Sequence, residues 1–132
     1  MPKQITNFDE SKLTSLESRF LAKLKTSYPY LAGMLTRDNT RCYAGTKYRC
    51  DFVLDFMGHA RYLGVVIEMQ GGIYMQDKTG HSTGTKLVKD YDKAIVAQMN
   101  SYFFLPVAPT NAAIDKACEV LDKLYQETQE LI

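Results

Sequence analysis

The stretch that decides the fold is Tyr48-Arg49-Cys50-Asp51-Phe52-Val53-Leu54-Asp55-Phe56, followed by Tyr62-Leu63-Gly64-Val65-Val66-Ile67-Glu68-Met69-Gln70. In the first segment Tyr48, Cys50, Phe52, Leu54 and Phe56 alternate with Arg49, Asp51, Val53 and Asp55. That is the two-residue period of a strand. The second segment is apolar through Leu63, Val65, Val66 and Ile67, as expected of a strand buried on both faces. Met57-Gly58-His59-Ala60 between them reads as a hairpin turn. A turn centred on Gly58-His59 pairs Asp51 with Val66 and Glu68 with Arg49. Asp51 and Glu68 then become diagonal neighbours on one face, about 7–8 Å apart at the backbone. Lys47 and Gln70 face each other beside them.

Upstream, Leu13, Leu16, Phe20 and Leu24 recur at helical spacing. They predict a helix from about Asp9 to Ser27, capped by Asp9 or Ser11 and ended by Pro29. Downstream, the glycines between Gly71 and Thr85 predict a loop with a short strand near Ile73-Tyr74. A helix is expected from Lys86 to Asn100, with Leu87, Tyr91, Ala94, Ile95 and Gln98 inward. A strand follows over Tyr102 to Val107, closed by Pro106 and Pro109. The last helix starts near Asn111, with Thr110 or Asn111 as cap and Ile114, Ala117, Cys118, Leu121, Leu124 and Tyr125 as its packing face. The order predicts an α/β fold in one domain over residues 1–132, a mixed β-sheet flanked by helices (α-β-β-(β)-α-β-α).

Bulk properties exclude several function classes. No apolar run approaches the roughly 20 residues that a bilayer span needs, so no membrane association is expected. The first residues, Met1-Pro2-Lys3-Gln4-Ile5-Thr6-Asn7, hold no apolar signal core. Cys42, Cys50 and Cys118 are odd in number and irregularly spaced, which fits reduced thiols and a cytoplasmic setting. They form no Cys-x-x-Cys unit, so a zinc site with His59 and His81 is not expected. The net charge of +1 excludes a uniformly basic nucleic-acid binder. From Asn111 onward the chain carries a net −3, so the remainder carries +4. Arg37, Arg41, Lys47, Arg49, Arg61, Lys78, Lys86, Lys89 and Lys93 lie in that remainder. Taken alone they read as solvated surface charge, although a DNA-facing surface could be assembled from them.

The acids carry more information. Glu68 ends an otherwise apolar strand, and a buried carboxylate needs something to stabilise its charge. Glu17 falls in the middle of the apolar arc of the first helix, again aimed inward. With Asp51, that makes three acids able to meet at one end of the sheet. Like charges gathered this way repel, and a cation is the common remedy. Oxygen ligands of this kind suit Mg²⁺.

An acid in the first helix, Asp51 in a strand and Glu68-Met69-Gln70 closing the next strand resemble the PD-(D/E)XK nuclease superfamily. Lys47 to Phe52, then Glu68-Met69-Gln70-Gly71-Gly72, Gly80-His81-Ser82-Thr83-Gly84-Thr85 and Asp90-Tyr91-Asp92-Lys93, are similar to its VRR-NUC branch. The resemblance covers Glu17 to Val107. It implies a restriction-endonuclease-like core and a Mg²⁺-dependent endonuclease acting on DNA phosphodiesters, with Mn²⁺ as a substitute ion. It further implies that Asp51, Glu68 and the Met69 carbonyl hold the metal, and that Glu17 holds its water or a second ion. Gln70 stands where the family usually has lysine, with Lys47, Lys86 or Lys93 as replacements. His81, Lys86, Lys93, Arg49 and Lys47 would contact DNA; Gly80 stands where an arginine is expected. Small stand-alone members of the branch imply branched, four-way-junction DNA as substrate and a homodimer, with a phage origin. The alternative is a non-catalytic DNA-binding module that keeps the scaffold.

Overall fold

Thr14, not Asp9, starts the first long helix. In the computed structural model, which describes residues 6, 8–37, 50–56, 61–70 and 81–131, helix α1 spans Ser15–Ser27. The Thr14 hydroxyl accepts the Glu17 N–H, and the Glu17 carboxylate accepts the Thr14 N–H at 2.8 Å. This reciprocal capping box fixes the helix start. Asp9 caps only a 3-10 turn, Glu10–Lys12. Leu13 and Thr14 are extended, which separates that turn from α1. Pro29 does more than end α1. It opens the short helix α2, Pro29–Met34, in the first turn, where its missing N–H leaves no bond unmade.

Among the described residues, four strands form one sheet in the order β1 (Leu35–Thr36), β2 (Phe52–Asp55), β3 (Gly64–Met69), β4 (Tyr102–Val107). β1 pairs with β2 and β2 with β3 antiparallel, while β3 and β4 run parallel. A parallel pair needs a crossover, which here contains α3, His81–Met99. Helix α4, Asn111–Leu131, follows β4, and the Thr110 hydroxyl accepts the Ala113 N–H at its start. The architecture is thus the mixed α/β sheet flanked by helices that the sequence predicts.

The hairpin register differs from expectation. Phe52 pairs with Ile67 and Val53 with Val66, two residues away from the register that places Asp51 opposite Val66. The Phe56 N–H still donates to the Leu63 carbonyl, so pairing closes around a centre one residue later than Gly58-His59. A two-residue period cannot tell apart registers that differ by two residues, which leaves the connection to choose between them. A slip of two residues keeps every side chain on its face. The expected turn at 57–60 and strand at 73–74 lie outside the described residues.

Phe20, Leu21 and Leu24 of α1 pack with Leu31, Phe52, Leu54, Val65 and Ile67 in the main core, which α4 closes with Ile114, Ala117, Cys118, Leu121 and Leu124. The predicted packing face of α4 is therefore buried, except that Tyr125 is half-buried against the core. On the other sheet face Ala97 of α3 packs against Val66 and Cys50. Tyr91, Ile95 and Gln98, expected inward, are exposed. The small Ala97 lets α3 lie close over β3, and the larger apolar side chains turn outward. His81 starts this helix five residues before the expected Lys86. Pro106 lies within β4 instead of closing it, which is tolerated because β4 is the outermost of the described strands. No helix among the described residues is long and apolar enough to cross a membrane.

Gly64 opens β3 where a Cβ would collide with the Leu54 backbone carbonyl. The obstacle is main chain within the paired ladder, so it has little room to move. Gly64→Ala is expected to cost about 1–3 kcal/mol, the range for forced overpacking. A urea unfolding midpoint equal to that of the wild type would show that the ladder gives way freely.

Candidate active site

The end of β3 collects the acids. Alternation along the strand puts Val66, Glu68 and Gln70 on the face covered by α3. Ala97 packs on Val66, and Lys93 lies one helical turn earlier on the same face. Lys93 Nζ comes within 2.6 Å of Glu68 Oε1, and both side chains are largely buried. The lysine thus reaches Glu68 by the same helix-to-strand spacing that seats Ala97.

Asp51 precedes β2 and leaves the regular ladder. Its N–H donates to the Ile67 carbonyl at 3.1 Å, although Ile67 is already the partner of Phe52. Two residues facing one is the pattern of a β-bulge, a device that re-aims a side chain. The Asp51 carboxylate then accepts the Met69 N–H through Oδ2 at 2.7 Å. Instead of the diagonal placement expected from sequence, Asp51 is locked to the backbone beside Glu68. Burial first, and then the charge of Glu68, push the Asp51 carboxyl up to about 7; the Met69 N–H opposes this and Glu17 adds to it.

Glu17 is buried, as its place on the helical wheel predicts. Its main partner is not the one expected from sequence. Arg37, just past β1, places Nη1 2.9 Å from Glu17 Oε2, with the two side chains 14% and 4% exposed. The pair is close but not aligned as a hydrogen bond. The guanidinium lies over the Phe52 ring at 5.6 Å. Burial works to raise the Glu17 pKa, but Arg37, the Thr14 N–H and a hydrogen bond with Asp51 outweigh it and hold the carboxyl low. Sequence reasoning counts Arg37 with the surface charges. The signal that could have found it is Glu17 itself, a buried acid in need of a cation.

Gln70 is buried beyond Glu68, its N–H donating to the Val107 carbonyl at 2.8 Å. Lys47 and Arg49 lie outside the described residues, as do the side chains of His81 and Lys86. Glu17, Asp51, Glu68, Met69, Gln70 and Lys93 are therefore the predicted site residues that come to this end of the sheet. No family model matches the chain, and no curated protein or solved structure is significantly similar to it. Function thus has to be read from chemistry at the site.

Among the described residues, no group of three His, Cys, Asp or Glu side chains stands ready-made in metal-ligand geometry. Glu17 is held by Arg37 and Glu68 by Lys93. The donor chemistry nonetheless suits a hard cation. Burial and the charge of Glu68 together keep Asp51 protonated up to near neutrality. Mg²⁺ takes oxygen ligands, needs only one or two carboxylates and keeps several waters.

Proposed function

We propose that this chain is a divalent-metal-dependent endonuclease that hydrolyses DNA phosphodiesters, with Asp51 and Glu68 as its metal ligands. The observation that carries the proposal is the convergence of Asp51 and Glu68 at one sheet end, where burial and the charge of Glu68 lift the Asp51 pKa. The motif resemblance to VRR-NUC nucleases points to the same residues. Mg²⁺, with Mn²⁺ as substitute, would supply Lewis-acid stabilisation of the charge that builds on the phosphate.

The chain's own residues divide the remaining work. The Met69 N–H orients Asp51. Glu68 offers its carboxylate beside the Lys93 ammonium. Lys93 fills the cationic role left open by Gln70, stabilising negative charge on the phosphate or on the leaving oxygen. Gln70 has an amide that hydrogen-bonds without charge, which suits orienting a water rather than deprotonating it. A cationic side chain already at Glu68 favours a catalytic site over a binding module that has lost activity.

The direct test is nicking of supercoiled plasmid by the purified chain in Mg²⁺ and in EDTA. Nicking that requires the metal supports the nuclease; DNA binding without nicking points to the non-catalytic module. A preference for branched or four-way-junction DNA follows from the resemblance. It calls for side-by-side cleavage of junction, flap, single-stranded and duplex substrates.

We also propose a homodimer. Val88, Tyr91, Ile95 and Met99 are 69%, 65%, 57% and 78% exposed and recur at helical spacing along α3. Two copies crossing antiparallel on this stripe bring Val88 near Met99 and Tyr91 near Ile95, so the surface is apolar against itself. Ile95→Lys places a charge at its centre and is expected to convert a dimer into a monomer in sedimentation equilibrium. A wild-type chain that stays monomeric at tens of micromolar would rule the dimer out.

A further inference from the structure

We infer that the site takes one divalent ion, and that the Arg37 guanidinium stands as a built-in cation in place of a second. The inference rests on the metal-dependent reading above and specifies its metal count. Its first support is the occupation of Glu17. Oε1 accepts the Thr14 N–H at 2.8 Å, and Oε2 has Arg37 Nη1 at 2.9 Å. One oxygen is thus committed to the start of α1 and the other to a fixed positive charge. A carboxylate held this way is poorly placed to recruit another ion.

The second support is the way Arg37 is held. It follows directly on edge strand β1, its guanidinium lies over Phe52 at 5.6 Å, and only 14% of its side chain is exposed. Phe52 is itself fully buried and packed on Phe20. The guanidinium is thus held between Glu17 on one side and Phe52 on the other.

Glu17 is accordingly a positioning residue: it holds the start of α1 and the Arg37 guanidinium beside the site.

The experiment is a Mn²⁺ titration of the full chain, followed by electron paramagnetic resonance and calorimetry, which counts ions without relying on cleavage. The wild type should bind one Mn²⁺ per chain. Glu17→Gln keeps the capping box, since glutamine serves at that position. It should still bind one ion, weakened by no more than about 100-fold, the range for an outer partner of a ligand. Arg37→Met uncovers Glu17 and should admit a second ion. Two ions on the wild type, or a loss of binding in Glu17→Gln as complete as in Asp51→Asn, would overturn the inference while leaving the nuclease proposal standing. No ion on the wild type would remove both. If Arg37→Met fails to fold, the wild type and Glu17→Gln decide by themselves.

Discussion

Asp51→Asn is expected to abolish Mg²⁺-dependent cleavage and, at the same time, to raise the thermal stability of the metal-free protein at pH 8. Asparagine is nearly isosteric, and its side-chain oxygen can still accept the Met69 N–H. What it lacks is the ionised form. In the folded protein the Asp51 carboxyl is lifted from 3.8 to about 7 by burial and by Glu68. The folded state thus holds its proton more tightly than the unfolded chain does. The stability this supplies is complete below pH 3.8 and is lost as pH rises towards 7. At pH 8 the charged Asp51 costs the fold on the order of 4 kcal/mol, from about 1.4 kcal/mol per pKa unit. The asparagine variant would escape that cost, so thermal denaturation in EDTA should show it gaining on the wild type from pH 5 to pH 8. Added Mg²⁺ should stabilise the wild type and leave the variant unmoved. Glu68→Gln should also lose cleavage, on the order of 10³-fold or more in both variants, as when a component of a catalytic unit is removed. Wild-type cleavage by either variant, or a stability difference that ignores pH, would take Asp51 and Glu68 out of the proposed role.

Lys93→Met carries the second large effect, and it should separate binding from chemistry. In the metal-free site the Lys93 ammonium sits 2.6 Å from Glu68 and neutralises it. Removing the ammonium leaves the Glu68 charge to attract an ion, so Mg²⁺ affinity should rise. The same change removes the cation proposed to face the phosphate, and cleavage should fall by about 10²–10³-fold, the range seen when one preorganised charge-stabilising donor is removed. Lys93→Arg keeps the charge but does not give up a proton at any working pH. Substantial recovery of rate in Lys93→Arg is expected, because the proposed role is electrostatic. If Lys93→Arg is as slow as Lys93→Met, lysine acts instead by proton transfer. A Lys93→Met rate equal to that of the wild type would exclude Lys93 from the chemistry.

Much of this protein was legible in one dimension. Local periodicity and caps are short-range properties, so β4 at Tyr102–Val107, the start of α4 at Asn111 and its buried face follow from the residues themselves. So does the inward aim of Glu17, set by its angle on the helix, and the common face of Val66, Glu68 and Gln70, set by the pleat. Three matters were decided only by the tertiary structure. The hairpin register lacked a local signal because a slip of two residues leaves every side chain on its own face. The bulge at Asp51 depends on a backbone bond to Ile67, and the side chain it re-aims could not be placed by alternation. The partners of the buried acids, Arg37 for Glu17 and Lys93 for Glu68, come from 20 and 25 positions away along the chain. A sequence shows that a buried charge needs a counter-charge, because desolvation is a property of the residue and its place on its own element. Which counter-charge meets it depends on how elements pack, and that is fixed only when the sheet closes and the helices settle on its faces.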